Sequence, residues 1–117
     1  MIEANDQLKA NAVTIFKAIG PIGGEAVWEG ILPTISAFYG ILIQMFWQEH
    51  APPHFHALYG EFEALIDIRT LEVIRGSFPR RALSLVMEWA AQHRNELMED
   101  WKLCETKQSP YKIPPLE

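Results

Sequence analysis

A chain of 117 residues, 49% hydrophobic and 21% charged, has the composition of an ordinary globular protein; it excludes a disordered chain and leaves room for one hydrophobic core. A formal net charge of -5 offers no global positive field to nucleic-acid phosphates, so any RNA or DNA contact would need a local patch. The one cysteine, Cys104, excludes an internal disulfide and a cysteine-built zinc cage, and is expected to be a small buried hydrophobe in a reducing compartment.

Along the chain, residues 3–19 carry Leu8, Ala12, Ile15, Phe16 and Ile19 at helical spacing, and the glycine-rich stretch from Gly20 to Gly24 ends any helix there. Glu3 and Asp6 interrupt the start, no basic stretch precedes an apolar one, and the longest apolar runs are too short for a bilayer; a cytoplasmic location with no membrane contact is expected. From Gly40 to Trp47, Ile41, Ile43, Met45 and Trp47 alternate against Leu42, Gln44, Phe46 and Gln48, which predicts a central strand. His54 to Tyr59 and Phe62 to Thr70 are two further period-2 runs, and Gly60-Glu61 between them fits a two-residue type II′ hairpin. Phe62, Ala64, Ile66 and Ile68 should point inward, with Glu61, Glu63, Asp67 and Arg69 in water. Leu71 to Ile74 is read as a short fourth strand, and Pro79 as the opening of a helix.

Beyond Pro79, the spacing of Leu83, Val86, Ala90, His93, Leu97, Trp101 and Cys104 draws one apolar stripe along a long helix or two collinear ones, with a kink near Arg94-Asn95 where Asn95 could cap a second piece. The proline-containing tail from Ser109 is expected to run extended over the surface. The fold class is therefore α+β: an antiparallel sheet of three to four strands followed by helix. The domain is placed at residues 33–117, with 1–32 as an N-terminal extension.

The series Pro33-Thr34-Ile35-Ser36-Ala37-Phe38-Tyr39-Gly40, the block His50-x-Pro52-Pro53-His54-Phe55-His56-Ala57-x-Tyr59-Gly60, then Leu71-Glu72-Val73, Pro79-Arg80-Arg81-Ala82 and Glu88-Trp89 resemble a small prokaryotic family catalogued as domain of unknown function 4160, over Pro33 to about Leu116. The resemblance implies no particular activity. It does imply a gene neighbour from a second small family, domain of unknown function 2442, in pairs that look like toxin–antitoxin modules; some members carry a loose label of transcriptional regulator. Similar chains begin with Met directly before Pro-Thr-Ile-Ser, where this one has Leu32. Trp28-Glu29-Gly30 must also be encoded by a purine-rich run like a ribosome-binding site, so translation is expected to start at position 32, with residues 1–31 a misread leader. The amphipathic spacing of residues 3–19 supports the other reading, a helix docked on the domain.

Chemistry concentrates in the histidine block. His54 and His56, two apart on a strand, emerge on one face, and His50 can fold back towards them across the Pro52-Pro53 turn. Three readings stay open: histidines that hold the turn or contact a partner, His54 and His56 as proton-transfer catalysts, and His50, His54 and His56 as ligands of a divalent metal. Asp67, Glu61 or Glu63 could orient a ring. Arg80 and Arg81, at a helix N-terminus where cations are mildly disfavoured, are candidates for stabilising a phosphate or else form a solvated face. His50, Pro53, Phe55, Tyr59 and Trp89 are candidate partner contacts, and the wider aromatic surplus of Phe46, Trp47 and Trp101 fits a binding surface. His93, on the helix stripe, reads as a hydrogen-bonded core residue.

The leading expectation is a partner-binding component of a two-gene toxin–antitoxin-like or regulatory module. A small RNA-cleaving enzyme using the histidine block, or a metal-dependent hydrolase, are the alternatives. Eight basic against eleven acidic residues from Pro33 onward argue against attraction to RNA. No dinucleotide fingerprint, P-loop, nucleophile elbow or helix-turn-helix signature is present, so sequence-specific DNA binding has no support.

Overall fold

The computed structural model describes residues 34–117. The readings of residues 3–19, of Leu32 as a start and of Pro33 lie outside the described residues. Five strands, β1 (Thr34–Phe38), β2 (Ile41–Gln44), β3 (His54–Tyr59), β4 (Phe62–Asp67) and β5 (Val73–Ser77), form one antiparallel sheet in chain order. Two helices follow, α1 (Arg80–Gln92) and α2 (Arg94–Glu105). Among the described residues no helix is long and apolar enough to cross a membrane.

The sheet has five strands rather than three to four, and the additional one is β1. Its register slips between Thr34 and Ser36, so Ile35 and Ser36 are both buried and the period-2 signal is lost within five residues. β2 is shorter than expected, and β5 lies a few residues later than Leu71 to Ile74. The hairpin chemistry is local. Tyr39 and Gly40 both have positive φ, as a type I′ turn requires, whereas between β3 and β4 positive φ falls on Gly60 and not on Glu61, the type II′ pattern.

One face of the sheet meets the helices. Ile41, Ile43, Phe55, Ala57, Ala64 and Ile66 are fully buried and share a core with Val86, Trp89 and Ala90 of α1 and Leu97 and Cys104 of α2. Trp89 is its centre, with ring centroids 5.4 Å from Phe38 and 5.9 Å from Phe55. The helices break at His93 rather than at Asn95. His93 leaves helical geometry, its carbonyl accepts from Leu97 N–H at 2.9 Å, and its Nδ1–H donates to Glu96 at 2.6 Å. The break therefore falls where His93 adopts non-helical geometry between the two helices, with its ring held by Glu96 of the first turn of α2.

The tail does not simply cross the surface. Ile113 and Leu116 are buried, Ile113 N–H donates to Ile35 C=O at 2.8 Å, and the Trp89 indole donates to Pro114 C=O at 2.8 Å. Asp100, 1% exposed, accepts from Tyr111 N–H at 2.8 Å through Oδ1, while its Oδ2 has no hydrogen-bond partner among the described residues. Burial, helped by the charges of Glu99 and Glu96 and opposed by the Tyr111 N–H, pushes the Asp100 carboxyl up to about 6. Burial, with a smaller push from Asp100, raises the Cys104 thiol to about 12, so Cys104 is an inert core residue.

Candidate functional site

The two faces of β3 do different work. Phe55 and Ala57 enter the helix-covered core, while His54 and His56 leave on the opposite face, with ring centroids 5.4 Å apart. Pairing places His56 beside Gln44 of β2 and Leu65 of β4, and His54 beside Asp67. His54 is 6% exposed and His56 is wholly buried. Phe46 packs edge-on against His56 at 4.6 Å, and Trp101 of α2 lies 5.2 Å from His54.

The carboxylate that meets both rings is Glu49, on the loop between β2 and β3. That loop is tied to α2 and the tail: Gln48 N–H donates to Cys104 C=O at 3.1 Å, and the Trp47 indole donates to Gln108 C=O at 3.2 Å. Glu49 Oε1 then lies 2.7 Å from His56 Nε2 and 3.2 Å from His54 Nε2, with the Glu49 side chain 8% exposed. Glu49, His54 and His56 each offer a ligand atom within 4.8 Å of the others.

The opposite ring nitrogens are anchored. His54 Nδ1 is 2.8 Å from Pro52 C=O, which can only accept, so Nδ1 carries the proton and Nε2 is the atom turned to Glu49. His56 Nδ1 is 2.9 Å from Glu63 Oε2. An imidazole between two ionised carboxylates must carry both protons, or else give up Nε2 to a cation and keep Nδ1–H for Glu63. The second arrangement is the carboxylate–histidine–metal relay by which a second carboxylate fixes a ligand's tautomer.

The structure brings together His54 and His56 but not His50, which is exposed on the loop; Glu49 occupies the third corner. Of the carboxylates considered as ring partners, Glu63 takes the role. Glu61 is exposed at the hairpin, and Asp67 turns inward instead of to water. Asp67 accepts from the backbone of Arg69 at 2.7 Å and Thr70 at 3.2 Å, closing the turn after β4. Burial alone would raise its carboxyl, but those N–H groups and the Arg69 guanidinium outweigh it and hold it below the usual value.

Arg80 and Arg81 are exposed at the start of α1. Among the candidate partner contacts, Phe55 and Trp89 are fully buried core residues, Pro53 is half-buried, and His50 and Tyr59 reach the surface. Phe46 and Trp101 are also buried, so the aromatic surplus fills the core and walls the histidine cluster rather than forming one surface. Glu49 was the residue missed. Its only signal is an acidic side chain next to His50, and nothing in the spacing says that the loop folds over β3.

A meander sheet backed by two helices, with a buried histidine–carboxylate cluster on the face of β3 opposite Phe55 and walled by Trp101 of α2, defines a small α+β domain. The chain belongs to the family described as Domain of unknown function (DUF4160), whose model matches residues 40–102, over half of the chain and the whole of the cluster. No curated protein and no solved structure matches it.

Proposed function

We propose that this domain holds a divalent cation of the zinc class on Glu49 Oε1, His54 Nε2 and His56 Nε2, and uses the remaining coordination position for metal-activated water. The observation that carries the reading is the pair of anchored Nδ1–H groups, which turn both Nε2 atoms onto one carboxylate oxygen. Two histidines and one glutamate form a recognised donor set of hydrolytic zinc sites, which keep a fourth position open. Ligands about 2 Å from a tetrahedral ion lie roughly 3.3 Å apart. The 3.2 Å from Glu49 to His54 matches that spacing, and the 2.7 Å to His56 is a hydrogen-bond length that opens by about half an ångström when an ion displaces the proton. The burial of both rings favours a small ligand over direct attack on an RNA strand.

Titration calorimetry with zinc tests this. One ion per chain is expected, with affinity falling at least tenfold in Glu49→Gln and in His54→Ala, and release on acidification as protons compete for the nitrogens. Stoichiometric folding without any zinc uptake would leave the cluster as a proton-bridged network.

A second reading, a partner-binding component of a two-gene module, is supported by β5. Its five residues are exposed along the whole strand, with Val73 39% and Ile74 46% accessible, as suits strand addition by a small protein. Co-expression with a second small protein encoded nearby should then give a complex on gel filtration that Ile74→Lys dissolves; a complex unaffected by Ile74→Lys refutes strand addition at this edge.

A further inference from the structure

The strongest unexplained polar group near the cluster is Gln44. It is 7% exposed, its Nε2 donates to Thr34 Oγ1 at 3.2 Å, and its Oε1 has no hydrogen-bond partner among the described residues. An unsatisfied buried amide oxygen costs about 1–3 kcal/mol, so one that persists calls for an occupant. Pairing says where it stands. Thr34, Gln44 and His56 form one cross-strand row through β1, β2 and β3, and residues directly opposite in antiparallel strands project from the same face. The amide is thus held from the Thr34 side of the row, and its other neighbour in that row is the His56 ring.

We propose that Gln44 is a positioning residue: its Oε1 accepts a hydrogen bond from the water carried by the cation on Glu49, His54 and His56. The inference rests on the metal reading above and adds a fourth residue to it. A metal-bound water has two acidic protons and needs acceptors to fix its orientation. In this cluster the ring Nδ1–H groups are committed to Pro52 and Glu63, and Glu49 Oε1 faces both Nε2 atoms. Gln44 supplies a neutral acceptor that adds no negative charge to the site.

A high-resolution crystal structure of the zinc-loaded full chain tests it directly. The expected result is a water on zinc within hydrogen-bond reach of the Gln44 amide. Zinc ligated by Gln44 itself, or a zinc-bound water with no contact to Gln44, overturns the proposal while leaving the metal reading intact; absence of zinc sinks both. Cobalt(II) in place of zinc gives a readout that a merely structural Gln44 would not move. The pH midpoint of its visible spectrum, set by loss of a proton from the bound water, should rise by about one unit, a tenfold change, in Gln44→Glu, because a second carboxylate favours the water over hydroxide. Gln44→Met, of similar length, guards against misfolding: it should keep metal stoichiometry and circular dichroism while its midpoint departs from wild type. Unmoved midpoints in both folded variants refute the role.

Discussion

The two faces of β3 bury side chains equally well and for opposite reasons. Phe55 and Ala57 enter a core in which shape and apolar area are what count, and Trp89 closes it from α1. His54 and His56, one residue away on either side, are buried among Glu49, Glu63 and Pro52, where each ring nitrogen must match a specific oxygen. Burial on the first face is a source of stability. On the second it is a cost, since charged and polar groups leave water, and it is tolerated because the groups satisfy one another. A strand buried on both faces reads in sequence as four buried positions in a row, His54 to Ala57, and only the chemistry of alternate residues tells the faces apart.

Variants that separate the faces sharpen this contrast. The largest effect is expected from Trp89→Ala, which removes the centre of the core and the hydrogen bond to Pro114: about 3–5 kcal/mol in denaturant unfolding. Zinc affinity of the molecules that remain folded should be unchanged. Gly76→Ala couples the faces instead. A Cβ there would sit 2.1 Å from the Glu63 carbonyl oxygen, at a φ of +87 that side chains rarely adopt, so a loss of about 2–4 kcal/mol is expected together with weaker zinc binding as Glu63 is displaced.

Asp100 provides a pH test remote from the cluster. Its folded-state pKa is raised from 3.8 to about 6, so its contribution is fully present below 3.8 and is lost as pH rises through about 6. Asp100→Asn, which keeps an acceptor for Tyr111 N–H, should be more stable than wild type at pH 7 by up to about 3 kcal/mol, two units at 1.36 kcal/mol each, with no advantage at pH 3. Equal stability curves at both pH values would show that Asp100 finds a compensating partner. Asp67 has the opposite sign: held below its ordinary value, it stabilises the fold above the usual carboxylate range, and that stabilisation is lost on acidification.

Smaller effects separate the ring anchors from the loop. Glu63→Gln keeps an acceptor for His56 Nδ1–H but removes the charge, and should weaken zinc binding by about 10–100-fold with little change in folding. His50→Ala should alter stability by less than about 0.5 kcal/mol and leave zinc affinity unchanged, because the side chain is exposed and outside the cluster. A large effect of His50→Ala on affinity would return that residue to the ligand set.

Strands β2, β3 and β4, the turn at Gly60, the helix from Pro79 and the shared face of His54 and His56 were legible because each depends on a period of two or near four within a few residues. β1 was not, since its bulge erases the alternation, and neither was the exact helix break, which falls at His93, where the backbone leaves helical geometry. Three facts were settled only by the tertiary structure. Glu49 rather than His50 joins the cluster, because Gln48 and Trp47 fasten their loop to α2 and the tail, more than fifty residues onward. Glu63 rather than Glu61 or Asp67 anchors His56, because register sets Glu63 diagonally beside His56 on the rings' face, while Asp67, opposite His54, is taken up by the backbone of Arg69 and Thr70 and Glu61 lies in the hairpin turn. The tail becomes part of the core through Ile113 and Trp89. By itself the sequence determined local geometry and the residue types available for chemistry; which of them meet depended on contacts between distant segments, for which local periodicity carries no information.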